Sequence, residues 1–120
     1  MSNTILIGAP IDDGQRRQGC IMGPAAYRVA GIAAAIADLG HSVDDWGDLT
    51  LPALSDATCP NPVVHHLPEI LGWTQTLADR VDDALSQGGL PIILGGDHSL
   101  ALGTVAGAAT FANRQDRPLF

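Results

Sequence analysis

At 120 residues the chain has room for one domain at most. Its 13 acidic and 6 basic side chains give a net charge of −7 with no basic stripe, which argues against nucleic acid and anionic membrane as partners. A hydrophobic share of 46% with only 4% aromatic predicts a core of Ala, Leu, Ile and Val, the usual filling of α/β proteins. Cys20 and Cys59 form no CxxC pair and no disulfide framework. The N-terminus carries neither a charged leader nor a long apolar segment, so a cytoplasmic protein is expected.

Thr4 to Ala9 reads as a first strand, closed by Pro10 and a polar, glycine-containing loop to Gly23. Gly14-Gln15-Arg16-Arg17-Gln18-Gly19 lacks the spacing and the Lys-Ser/Thr ending of a phosphate loop, and its two arginines read as solvated. Pro24 suits a first helical turn and Gly40 the position just past a helix end. Between them Ala25, Val29, Ile32, Ile36 and Leu39 predict one helix with a single apolar face for the sheet. His41 to Leu49 predicts a second strand with Val43 and Trp46 turned inward, and Leu51 to Pro68 a long, proline-rich loop. His65 and His66 are adjacent in that loop with no third ligand at a useful spacing, so they read as surface residues.

Glu69 to Gln87 has the pattern of an amphipathic helix. Ile70, Trp73, Leu77, Val81, Ala84 and Leu85 line one side, and Asp79, Arg80, Asp82 and Asp83 the other. Leu90 to Leu94 is short, continuous and apolar, the signature of a buried strand. It stops at Gly95-Gly96-Asp97-His98-Ser99, after which Leu100, Leu102, Val105, Ala108 and Ala109 predict a helix to about Ala112. Gly103 and Gly107 are expected to let that helix lie close on the sheet, and Ser99 to cap it. Pro118-Leu119-Phe120 resembles the start of a fourth strand. The order β-α-β-α-β-α calls for a parallel sheet with right-handed crossovers.

His98 therefore falls at the carboxyl end of a strand and the amino end of a helix, where open α/β sheets bind ligands. An imidazole there offers a lone pair to a metal. A hydrogen-bonded core histidine is the competing reading, and Asp97 could be a turn or capping residue, so spacing alone leaves the stretch open.

Gly95-Gly96-Asp97-His98-Ser99-Leu100-Ala101 resembles the first metal-binding motif of the arginase/agmatinase (ureohydrolase) family. Ile7-Gly8-Ala9-Pro10, the loop from Gly14 to Gly19, and Gly23-Pro24 are similar to the opening of arginases, and Asp45-Trp46-Gly47-Asp48-Leu49 to their second-strand segment. Arg16 stands where arginases often have Pro, and Gln18 where they often have Gly. The resemblance implies a three-layer α/β/α sandwich on a parallel sheet, with residues 1–120 forming only the N-terminal part of a single domain. It further implies a hydrolase of linear amidines that uses two Mn²⁺ ions, most like an arginase cleaving arginine to ornithine and urea by attack of a metal-bridging hydroxide on the guanidinium carbon. Agmatinase, guanidinobutyrase and formiminoglutamase are sister possibilities, and a truncated, partner-binding relative is a non-catalytic one. A metallophosphoesterase would need a second Asp-rich or Asn-His motif that this sequence lacks.

By position His98 matches the family's first metal ligand. Asp97, Ser99, Gly95 and Gly96 are implied to be supporting or turn residues, and Arg17 a structural or subunit-contact arginine. Partners implied are a small guanidino substrate and further copies of the chain in a trimer or hexamer. The family's other ligands, on an Asp-Ala-His-x-Asp and an Asp-x-Asp stretch, do not occur here, so the 120 residues alone are expected to be inactive and prone to associate through an open strand edge.

Overall fold

The computed structural model describes residues 2–119. Its first strand, β1 (Asn3–Ala9), is the centre of everything else. It pairs in parallel with β2 (Ser42–Asp48) on one side and β3 (Leu90–Gly95) on the other, giving the order β2-β1-β3. Thr4 to Ala9 are all buried, as a strand flanked on both edges and both faces must be. The predicted parallel α/β architecture is therefore present.

The two faces of β1 are covered differently. Ile5, Ile7 and Ala9 point to one side, where they join Ile11, Leu49, Trp73, Leu77, Val81 and Ala84 in the main core. That side is roofed by α3 (Leu67–Ser86) and α4 (Leu100–Arg114). The predicted apolar stripe of α3 holds: Trp73, Leu77, Val81 and Ala84 are buried and Ile70 and Leu85 pack against them. Arg114 ties the end of α4 back to Asp82 and Ser86 of α3.

The close approach allowed by Gly103 and Gly107 is to α3, not to the sheet. A Cβ at Gly103 would stand 2.8 Å from both the Leu77 Cβ and the Thr74 carbonyl oxygen, and one at Gly107 would stand 2.8 Å from the Val81 Cβ. The small residues thus cut a groove on α4 for its neighbouring helix, a partner that helical spacing cannot distinguish from a strand.

On the opposite face the single predicted helix is two, α1 (Gly23–Val29) and α2 (Ile32–Asp38), bent by 46° across the break. Gly31 adopts φ 89°, a left-handed conformation that ends α1 and that side-chain-bearing residues resist. The break takes the predicted stripe apart. Ile32 and Ile36 remain half-buried, whereas Val29 is 89% and Leu39 78% exposed.

Asp45 on β2 receives two hydrogen bonds from Arg28 of α1, while its neighbour Trp46 lies beneath Arg80 of α3, 5.2 Å from ring centroid to guanidinium carbon. Neighbours along a strand point to opposite faces, so these contacts set α1 and α3 on opposite sides of the sheet. Val43 and Trp46 are both half-buried, and the register slips between Leu6 and Gly8, with Gly47 at φ 75°.

β3 is an edge strand here, which is why its apolar run is not wholly buried. Leu94 is 2% exposed but Leu90 is 52% exposed. Pro118 and Leu119 form no strand, and Phe120 lies outside the described residues. No single helix among the described residues is long and apolar enough to cross a membrane.

Candidate functional site

Strand order β2-β1-β3 puts a topological switch point between β1 and β3, where the chain leaves the sheet in opposite directions. The turn that follows β3 sits there. Gly95 and Gly96 are joined by a cis peptide bond, and Gly96 takes φ 81°. A side chain at Gly96 would run into the Ala9 carbonyl oxygen at the end of β1, so the turn is pressed directly onto the neighbouring strand.

Asp97 is 6% exposed and every part of it is used. Its backbone N–H donates to the Ile11 carbonyl at 2.8 Å. Its Oδ2 accepts the Gly14 N–H at 2.6 Å, and its Oδ1 accepts both the Ser99 N–H at 2.9 Å and the Ser99 hydroxyl at 2.5 Å. A buried carboxylate needs such partners, because its desolvation is otherwise costly. Together these bonds lock the 11–19 loop onto the strand-to-helix turn.

Ser99 holds the predicted N-cap position of α4, but without the predicted side-chain capping bond. Ser99 is already in a helical conformation and its hydroxyl donates to Asp97 instead of accepting from the helix. The Asp97 carboxylate accepts the Ser99 N–H, and its carbonyl takes the Leu100 N–H at 3.3 Å, so Asp97 supports the turn just before α4. The His98 and Ser99 carbonyls accept from Ala101 and Leu102, which makes the first turn a tight i to i+3 one.

His98 stands apart from this network. It is exposed, and among the described residues its ring makes no hydrogen bond, Asp97 included. Asp97 therefore fixes the backbone that carries His98 and leaves the imidazole free. Gly95 is held close to the first turn of α4, since a Cβ there would meet Leu100 Cδ2.

Three members of the site lay beyond sequence reasoning as members of a site: Ile11, Gly14 and Cys20, whose carbonyl accepts the Gly96 N–H at 3.4 Å. Gly14 and Asp97 are 83 residues apart, and no local pattern announces that contact. Nearby, Asp12 accepts from the Gln15 side chain and the Gly19 N–H, and Asp13 accepts from Trp73 Nε1 at 2.9 Å, so the loop is organised by its own acidic residues. His65 and His66 are exposed in the 49–66 segment, as expected, and Arg16 and Arg17 are exposed in the 11–19 loop.

A manganese pair needs several carboxylate and imidazole donors converging on it. Among the described residues no three His, Cys, Asp or Glu side chains converge. Asp97 has both oxygens engaged, so this stretch offers one free donor, His98. These residues do not by themselves hold the two ions.

The comparisons with known proteins agree with this geometry. The chain is 39% identical to an arginase of Agrobacterium fabrum over 104 residues, covering 87% of this chain and 32% of the relative. It is 41% identical over 115 residues to an arginase of Brucella melitensis, covering 96% of this chain and 37% of that one. The crystal structure of arginase from Bacillus caldovelox superposes with a TM-score of 0.80 at 35% identity, over 92% of this chain and 37% of that one. The chain thus spans about a third of the length of its relatives, and its sheet and helices match the N-terminal part of their fold. The sequence profile of the arginase family matches residues 2–118, nearly every residue described, and the chain belongs to that family.

Proposed function

We propose that these residues are the N-terminal part of a manganese-dependent hydrolase of a guanidino compound, with arginine as substrate and ornithine and urea as products. One observation carries the reading: a family match over residues 2–118 that includes a strand-to-helix turn with a free, solvent-facing imidazole at the switch point of the sheet. When bound, a divalent metal pair supplies a nucleophilic water at neutral pH, which a guanidinium carbon requires. His98 is the residue of this chain that would ligate it. Asp97, through Gly14 and Ser99, holds the His98 backbone in place, and Gly95 and Gly96 let the turn approach β1. The remaining donors belong to the part of the family domain beyond these residues. Arg17, exposed in its loop, suits a contact between copies in an oligomer, and two unpaired cysteines suit a cytoplasmic setting.

The test uses the natural full-length product. With added Mn²⁺ it should release urea from arginine faster than it turns over agmatine or guanidinobutyrate; the opposite ranking would move the activity to a sister enzyme. His98→Ala should lower bound manganese and activity while leaving the fold intact, and unchanged metal stoichiometry would remove His98 from the ligand set. The 120 residues alone should show no turnover and only weak Mn²⁺ binding by calorimetry, because one imidazole cannot replace a converging donor set.

A further inference from the structure

Trp73 lies in the main core, 8% exposed, and its buried indole N–H needs an acceptor. That acceptor is not a core neighbour. It is Oδ2 of Asp13, 60 residues earlier on the 11–19 loop, at 2.9 Å. The loop has no strand or helix of its own, so its path is set by the few groups that grip it. The grips converge on one short stretch. Ile11 belongs to the same core cluster as Trp73, and its carbonyl accepts the Asp97 N–H at 2.8 Å. The Gly14 N–H donates to Asp97 Oδ2 at 2.6 Å. Asp97 thus spans residues 11 to 14, and Trp73 holds that span between its ends, at Asp13. Space is as tight as bonding: a Cβ on Gly14 would stand 2.6 Å from Asp97 Oδ1 and 2.8 Å from both Cβ and Oγ of Ser99. The loop is therefore seated on the two residues that flank His98.

We propose that Trp73 and Asp13 are positioning residues for His98. The indole N–H fixes the Asp13 side chain, and the Asp13–Gly14 peptide thereby presents its N–H to Asp97. Asp97 in turn fixes the Ser99 N–H and hydroxyl on the far side of the imidazole. Helix α3 thus sets where the ring at the start of α4 stands, through the backbone that carries it. A bond that served only to satisfy the indole would need no particular acceptor; here it ends one peptide unit from the Asp97 clamp. A carboxylate acceptor also makes the bond charge-assisted, and so stronger than one between neutral groups. The proposal rests on the hydrolase reading for the value of placing His98, and not for the coupling itself.

The experiment uses the natural full-length product and two readouts. Amide hydrogen exchange on the metal-free protein follows residues 11–20 and 97–102, and steady-state kinetics with arginine and added Mn²⁺ separates kcat from KM. Asp13→Ala removes the acceptor from a loop residue outside the core. It should speed exchange in both segments about tenfold, with the rest of the protein unchanged. It should also lower kcat about tenfold while KM stays within about twofold, since His98 serves the reacting end of the site. Asp13→Asn keeps an oxygen for the indole N–H and should recover both readouts to within about threefold of the parent protein. Trp73→Phe keeps an aromatic ring in the core without the N–H and should match Asp13→Ala, and the double variant should lose little beyond Trp73→Phe, because both remove one bond. Faster exchange confined to residues 11–20, a change in kcat without one at residues 97–102 or the reverse, or an Asp13→Asn variant no better than Asp13→Ala would overturn the proposal. A parent protein that hydrolyses no guanidino compound would strike the hydrolase reading, and exchange at residues 97–102 would still decide whether Asp13 and Trp73 hold the turn.

Discussion

The two faces of β1 solve the same burial problem by different means. Toward α3 and α4, Ile5, Ile7 and Ala9 meet a continuous apolar layer, and two glycines of α4 let the helices interlock. Toward α1 and α2, Leu6 is buried but Gly8 lies under Asp48 and Arg28, and the helices above are short, bent and carry Val29 and Leu39 into solvent. The first face is held by packing. The second is held at its margin by a guanidinium clamped between Asp45 and Asp48. A similar helical period therefore yields a buried stripe along unbroken α3 and not across α1 and α2, which Gly31 divides.

The largest test of this contrast is truncation on each side. Leu77→Ala, at a fully buried position, should cost about 2–5 kcal/mol in urea denaturation, whereas Leu39→Ala, 78% exposed, should stay within about 0.5 kcal/mol. Similar losses at the two positions would mean that α2 is covered in solution. Next in size is Gly103→Ala. Alanine is the better helix former by about 1 kcal/mol, yet the clash with Leu77 and Thr74 should leave the variant about 1–3 kcal/mol less stable. A stabilised variant would show that α3 and α4 can separate freely.

Gly31→Ala should be milder, about 1 kcal/mol, since open space surrounds the site and only the left-handed backbone resists the new Cβ. The smallest effect is electrostatic. The Arg28 hydrogen bonds hold the Asp45 carboxyl below its ordinary value of 3.8, while the pairing raises Arg28 further. A depressed carboxylate contributes stability above its unfolded value and loses it as pH falls through the folded one. Arg28→Met should therefore lower the melting temperature slightly at neutral pH, with the difference from the parent chain shrinking as pH falls past the unfolded carboxylate range and vanishing only below the depressed Asp45 value. Both side chains are partly exposed, so added salt should shrink the difference as well.

What could be read from sequence divides along the same line. β1 and α3 were legible because burial on both faces, or on one whole helical stripe, leaves an unbroken pattern. The α1–α2 break was not, because the helical period runs straight through Gly31 and only backbone handedness interrupts it. Leu90 to Leu94 read as a buried strand, and its composition says nothing about lying at an edge of these three strands. At the site, the strand-to-helix turn was visible because its residues are consecutive. The capping bond expected of Ser99 is absent because its hydroxyl donates to Asp97, a carboxylate that also holds Gly14, 83 residues away.

That same long-range bond has a consequence for the order in which the chain can assemble. Within these residues β1 precedes both of its partners, and it meets β3 only after residues 90–95 have been synthesised. The 11–19 loop closes later still, when Asp97 emerges to accept the Gly14 N–H. Closing so long a loop costs only modestly more entropy than closing a short one, but it cannot be done early. Nascent chains stalled before Asp97 should therefore expose the loop to protease, and chains released past α4 should protect it. The turn that carries His98 is in this sense a clasp: the same carboxylate that steadies the candidate ligand holds the N-terminal loop against the β1–β3 pair.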